Sequence, residues 1–255
     1  MSQAFYRSPR VEISSHVIEF LMGRAYNSQR WILNREDDMD YAAARRNMVD
    51  CQILTNRVTD ERVIEVMGVL PRETFVPKSR QGIAYVDEAL AIGEGRFVME
   101  PMIIARLMQE LTLKSSDVAL SVGCGSGYAV AALAGIVNTV VAVEANANLA
   151  QHASKTLSDL EIDNVVVVEG ALNEGYAKQA PYDVIFFDGA VNEVPKAILD
   201  QLADGGRAAV IVESVGGIGR GRLYLRNGAN VSSRDLFDAG TPVLPGFEAD
   251  TVFSF

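Results

Sequence analysis

The run Val118-Ala-Leu-Ser-Val-Gly-Cys-Gly-Ser-Gly-Tyr128 constrains the fold more than any other stretch of the chain. It reads as a buried strand that ends in a glycine-rich turn and opens a helix over Ala129 to Ala134. A second apolar strand, Thr139 to Val143, follows and ends on Glu144. A strand–turn–helix–strand unit with an acid at its second tip suits a nucleoside. Glycines let the backbone approach the ligand, and a carboxylate can hold ribose hydroxyls. The plainer reading of the same residues is a tight turn beside a solvated glutamate.

The glycine spacing narrows the ligand. Gly123, Gly125 and Gly127 form G-x-G-x-G, whereas the dinucleotide fingerprint is G-x-G-x-x-G. Tyr128 stands where the third glycine of that fingerprint would be. A pyrophosphate needs that glycine for close packing and a free helix N-terminus. A cofactor without phosphates, such as S-adenosylmethionine, does not.

The chain has 255 residues, of which 49% are hydrophobic and 22% charged. That suits one large soluble domain, or one domain with an appendage. A net charge of -10 argues against a nucleic-acid surface, which needs clustered Lys and Arg. No apolar run reaches the roughly 18 residues needed to span a bilayer. The N-terminus lacks a signal-peptide pattern, so no secretion is expected. Cys51 and Cys124 make no disulfide framework or zinc cluster, and the widely separated His16 and His152 make no metal site. Cys124 sits inside the glycine turn, where a small side chain is required, and Cys51 is expected to be buried; both suit a cytoplasmic protein. His152 is expected on a helix surface, in the helical pattern that follows Glu144.

Residues 1–40 read as a helical extension and linker. Val17, Ile18, Leu21, Met22 and Tyr26 recur at helical spacing, and Arg35 to Asp40 is a charged run. This helix would dock on the domain or pair two subunits as a homodimer. It lacks the basic face of a membrane-surface helix. Helices are expected over Tyr41 to Ile53, Asp60 to Val69, Met102 to Leu111 and Val194 to Leu202. Gly205-Gly206 would stop the last of these. An extended stretch is expected over Glu73 to Pro77. Strands recur at Asn164 to Val168, Tyr182 to Phe187 and Arg207 to Val212. Alternation of apolar strands and helices indicates an α/β, doubly wound, mostly parallel sheet of seven strands. The tail, Gly221 to Arg226, Asn227-Gly228, then Asn230 to Phe237, carries the signal of a C-terminal antiparallel hairpin. Gly216 to Arg222 superficially resembles a phosphate cradle, but it precedes a strand and reads better as a flexible connection.

Several separated blocks resemble the protein-L-isoaspartate (D-aspartate) O-methyltransferases. They are Val69-Leu-Pro-Arg-Glu-Thr-Phe-Val76, Leu90-Ala-Ile-Gly-Glu-Gly95, Ser121-Val-Gly-Cys-Gly-Ser-Gly-Tyr128, Ala180-Pro-Tyr-Asp-Val-Ile185, and Asn192-Glu-Val-Pro195 through Gly205-Gly-Arg207. The similarity runs from about Arg45 to about Phe247. It implies a Rossmann-like S-adenosylmethionine-dependent methyltransferase domain over 41–255. It places the cofactor against Gly123, Cys124, Gly125, Ser126 and Gly127, with Glu144 and Ala145 at the ribose and Gly170, Ala171 and Asp188 nearby. The acceptor would be a carboxylate or other oxygen of a peptide or small molecule.

This chain also departs from the family pattern. Where the family has the loop Q-T-I-S-Q-P, this chain has Arg96-Phe-Val-Met-Glu-Pro101, so Phe97 and Met99 replace two hydroxyl side chains. The acid before the glycine turn is Ser121. The family's Gly-Asp-Gly is Gly170-Ala-Leu172, and its Thr-Ala-Ala is Asp188-Gly-Ala190. Loss of the hydroxyls predicts weak or no methylation of isoaspartyl peptides. Arg96, Met99 and Asp188 are the candidates around the reacting atoms. Arg96 could pair with an acidic acceptor, or with Glu94 or Glu100, or stand in solvent. Asp188 could contact the methionine amine or the acceptor, or simply fix the Gly189 turn. Tyr85, Phe97 and Met99 could wall the acceptor pocket or fill the core beneath it. A cofactor-binding pseudoenzyme is the main rival reading. An NAD-dependent oxidoreductase is disfavoured by the glycine spacing and the hairpin.

Overall fold

The computed structural model describes residues 40–213 and 218–248. The expected N-terminal helix, its pairing role, and Gly216 and Gly217 of the glycine-rich connection lie outside them.

The central strands are β3 (Val118–Val122), β4 (Thr139–Glu144), β5 (Val165–Glu169), β6 (Tyr182–Val191) and β7 (Leu202–Val212). The tail adds β8 (Arg220–Asn227) and β9 (Asn230–Asp238). They form one seven-stranded sheet in the order β5-β4-β3-β6-β7-β8-β9. Pairing is parallel from β5 to β7 and antiparallel from β7 through β9. This is the doubly wound sheet with its closing hairpin. The strand order reverses between β3 and β6, the switch point beside which open α/β sheets bind ligands.

The central strands read as continuous apolar runs because both faces are covered. Leu120, Val122, Val141, Val143, Ile185 and Phe187 pack on one face. Their alternates Ala119, Val140, Ala142, Val184 and Phe186 pack on the other, against the helices. Helix α1 (Tyr41–Met48) starts where Asp40 caps the Ala43 N–H at 2.9 Å, and it continues as a π-helical turn over Val49–Ile53. Asp60 caps α2 (Glu61–Val69), and Pro101 opens α3 (Pro101–Glu110). Helix α4 (Tyr128–Ala134) is buried along its whole length, and α5 (Ala147–Asp159) is capped by Asn146.

Five local expectations are corrected. The helix expected over Val194 to Leu202 is a single turn, α6 (Lys196–Leu199). Gly205 and Gly206 do not stop a helix; they lie inside β7, where a Cβ on Gly206 would meet the carbonyls of Ala203 at 2.8 Å and Tyr182 at 3.0 Å. Arg72–Phe75 forms one 3-10 turn, and only Val76, before Pro77, is extended. Cys51 is exposed, because Val49 and Ile53 take the inward face of its turn. The tail turn is Gly228-Ala229, with Asn227 paired to Asn230, and Gly228 takes φ 59° at its first position. The sequence reading had no strands between 84 and 100. Here a short antiparallel pair forms, β1 (Leu90–Gly93) and β2 (Arg96–Val98), turning through Glu94 at φ 54°.

At the end of β3 opposite the glycine turn, Arg207 and Asp117 form a buried ion pair at 2.5 Å. The same guanidinium donates to the carbonyls of Leu111 at 2.5 Å and Thr112 at 2.9 Å. It therefore fastens the end of α3 to the start of β3. Truncation would leave Asp117 buried without its partner. Arg207→Ala is expected to lower unfolding free energy by about 3–5 kcal/mol. Urea denaturation checks this, and the Arg207→Ala/Asp117→Ala double variant should lose less than the sum of the two single changes.

Candidate active site

Burying a carboxylate is costly unless donors surround it, and that requirement organises the site. Glu144, at the tip of β4, is fully buried. Its oxygens accept from the backbone N–H groups of Gly125 at 2.8 Å, Ala145 at 3.0 Å and Asn146 at 3.2 Å. Arg96 completes the shell, its Nη1 donating to both carboxylate oxygens at 2.8 Å. Its Nη2 donates to the Gly123 carbonyl at 2.7 Å, so the guanidinium is buried as well. Neither Glu94 nor Glu100 is its partner.

The glycine turn is built to make these contacts. Gly123, Gly125 and Gly127 all take positive φ, at 80°, 53° and 98°. The Gly123 and Cys124 N–H groups donate to the Val143 carbonyl at 2.8 and 3.2 Å, holding the turn against β4. A Cβ on Gly123 would lie 2.7 Å from Leu244 Cδ2 and 3.0 Å from Arg96 Nη2. One on Gly125 would lie 3.1 Å from Ile92 Cδ1. Three protein side chains therefore lie in the cradle that the sequence reading assigns to adenosine.

The other predicted residues gather nearby. The Gly170 N–H donates to the Glu144 carbonyl at 3.0 Å, and Ala171 beside it is exposed. Ser126 is buried and its hydroxyl has no partner. Met99 is buried, and its carbonyl accepts from Arg72 Nη2 at 2.7 Å. Tyr85 stands apart: its hydroxyl donates to Glu73 and accepts from Arg45, outside the cleft. Phe97, Met99, Asp188, Thr241 and Leu244 line a narrow cleft beside Arg96. Asp188 sits there at a register slip in β6, buried, with Oδ1 unpartnered.

Sequence reasoning missed three contributors. Arg72 is fully buried, its guanidinium 4.6 Å from the centroid of the Tyr128 ring, tying the loop at Met99 to the start of α4. Asn146 donates to Glu94 at 3.1 Å, tethering the β1–β2 tip. The segment Pro242–Leu244 docks along β6, with Ala190 donating to Pro242 and Leu244 to Ala190. The Gly93-Glu-Gly95 turn between apolar residues was a hairpin signal for the second of these. No local signal marks the other two.

The donor set fits an S-adenosyl ligand on one condition. Glu144 asks for N–H or O–H donors, which a ribose diol supplies in place of a guanidinium, and Asp188 and Ser126 hold unmatched polar atoms beside it. The condition is that Arg96 leaves. Among the described residues, no group of His, Cys, Asp and Glu could hold a metal, and no helix is long and apolar enough to cross a membrane.

The chain is similar to known proteins of one family. The family model for Protein-L-isoaspartate(D-aspartate) O-methyltransferase matches residues 44–232. The Protein-L-isoaspartate O-methyltransferase of Methanoculleus marisnigri is 40% identical over 163 residues, which is 64% of this chain and 74% of that protein. That of Koribacter versatilis is 38% identical over 174 residues, 68% of this chain and 78% of that protein. A solved protein-L-isoaspartate O-methyltransferase superposes with a TM-score of 0.71 at 25% identity, over 79% of this chain and 66% of that one. A Plasmodium falciparum structure, in complex with S-adenosyl-L-homocysteine, shares the fold with a TM-score of 0.68 at 19% identity, over 81% of this chain and 99% of that one.

Burial pushes Asp188 up to about 7; Arg96 and Arg72 pull it down less strongly, and Glu144 adds to the rise. A raised folded-state value means the folded protein holds this proton longer than the unfolded chain. The associated stability is fully present below about pH 4 and is lost as pH rises to about 7. Asp188→Asn keeps the shape without the charge. Its stability should gain on wild type as pH rises from about 4 to about 8, by up to about 4 kcal/mol, with a matching rise in relative melting temperature. Thermal scans across that range check it, and a constant difference at all pH values would refute it.

Proposed function

We infer the function of this chain from its family: it belongs to the protein-L-isoaspartate (D-aspartate) O-methyltransferases, and its chemistry is S-adenosylmethionine-dependent O-methylation. The supporting observation is the cluster of Glu144, the glycine turn and Asp188 at the switch point of the sheet. The cofactor supplies an electrophilic methyl on a sulfonium, and the protein supplies orientation and electrostatics.

We assign the cofactor to Gly123 through Gly127, to Glu144 with Ala145, and to Gly170 with Ala171. Glu144 would accept from the ribose hydroxyls, and Gly125 approaches the ligand because it has no side chain. The acceptor would enter the cleft of Phe97, Met99, Asp188 and Thr241. Relatives are named for isoaspartyl substrates, and a peptide or small-molecule carboxylate is the acceptor class proposed here. Such a carboxylate is ionised at neutral pH, with an ordinary value near ~4, so no general base is required. A protonated Asp188 can donate a hydrogen bond to it, where an ionised one would repel it. Arg96, once off Glu144, offers a planar fork that matches a carboxylate. The methyltransferase domain is taken as 41–255, with residues 1–40 as an extension, in a cytoplasmic protein.

Labelled-methyl transfer into a cell extract tests this reading. A base-labile label, as in a carboxyl methyl ester, is the expected result; a base-stable label would overturn the carboxylate assignment.

The apolar Phe97 and Met99 set the substrate range. Wild type should methylate isoaspartyl peptides poorly. The double variant Phe97→Thr/Met99→Ser, which restores two hydroxyls, should raise kcat/KM on such a peptide by about tenfold or more, because a site recovers discrimination when its polar partners return. Steady-state assay of both proteins on one isoaspartyl peptide decides it.

A further inference from the structure

The donors that satisfy Glu144 are all protein groups, and one of them is a side chain reaching in from a separate hairpin. The three amides belong to the turn and the start of α5 and cannot leave without unfolding them. Arg96 differs. It stands on β2, beside a three-residue turn whose members Gly93, Glu94 and Gly95 all take positive φ. That turn is tethered at its tip by one exposed hydrogen bond from Asn146. The guanidinium makes two attachments, to the Glu144 carboxylate and to the Gly123 carbonyl, both at the glycine cradle.

We propose that Arg96 is an internal competitor for the ribose subsite: it occupies Glu144 and the Gly123 carbonyl, and a nucleoside ligand binds only by displacing it. This rests on reading Glu144 as the ribose acid. The exchange is chemically matched. Each guanidinium N–H on the carboxylate is replaced by a ribose O–H, so the buried charge keeps its donors throughout. Ile92 and Leu244 lie against the same glycines, so the hairpin and the Pro242–Leu244 segment must yield with Arg96. An arginine serves this purpose better than a neutral side chain. It supplies N–H donors to both Glu144 oxygens while the cradle is closed, at the positions ribose hydroxyls would take when it opens.

The consequence is a conformational penalty on affinity. If the latch is closed ten times for each time it is open, apparent affinity falls about tenfold. Isothermal calorimetry with S-adenosylhomocysteine, on wild type and on Arg96→Gln, tests this. Glutamine removes the cation and leaves a shorter side chain. The expected result is binding by both proteins, with Arg96→Gln tighter by about tenfold or more. Equal or weaker binding by the variant, with wild type still binding, would overturn the competitor and leave the cofactor assignment standing. Binding by neither would overturn both. Should Arg96→Gln not fold, a crystal structure of wild type with S-adenosylhomocysteine decides. The proposal expects the guanidinium beyond ion-pair distance of Glu144, more than about 4 Å. An intact Arg96–Glu144 pair beside bound ligand would overturn it.

Discussion

A carboxylate with no access to water must find its donors inside the protein, and at Glu144 that need shapes everything around it. Gly125 donates because its positive φ points the N–H inward. Ala145 and Asn146 donate because β4 ends and α5 begins there, with Asn146 free to use its side chain as the helix cap. Arg96 closes the shell from a different part of the chain, and its second nitrogen returns to Gly123. The turn, the strand tip, the helix start and the hairpin are therefore held by one charged group. A buried pair of this kind adds less net stability than its distances suggest, since both ions were desolvated to form it. Its stronger effect is on conformation, because removing either partner strands the other.

Asp188 provides the contrast. It lies in the same crevice and is almost as buried, yet it has no cation in contact and one oxygen with no partner. Desolvation then governs, and the proton is retained up to about 7. The two acids of one site thus differ in their surroundings: donors enclose Glu144, whereas burial with few donors raises Asp188. The cleft walls reinforce this. Phe97 and Met99 line the same cleft with apolar side chains.

Much of this was legible in the chain because it is local. The glycine turn, the apolar strands and the tail hairpin each follow from patterns a few residues long, and the parallel sheet follows from their alternation. The failures have a common cause. Nothing near Arg96 announces that its partner stands 48 residues away. Leu244 fits against Gly123 and Gly189 only because a late segment docks along β6. Gly205 and Gly206 were read as a helix stop because paired glycines do end helices. Here Gly206 sits in a strand where a Cβ would meet the Ala203 and Tyr182 carbonyls, and Gly205 takes φ 77°, demands of the fold that propensity does not record. Cys51 was misjudged in the same way: the π-helical turn rotates it outward, and residue type alone does not reveal the turn.

The electrostatics of the crevice bear on which ligand it can accept. With Arg96 in place, the cation and Glu144 cancel, and Asp188 adds little charge below pH 7. Displacing Arg96 removes the positive member and leaves Glu144 facing the cradle, which favours a cationic ligand over a neutral one of the same shape. A sulfonium cofactor brings such a charge and loses it when the methyl departs. The same arginine would then be drawn back toward Glu144 as the product leaves. An arginine at position 96 would thereby link ligand charge to closure of the cradle, with no residue required beyond those already in contact.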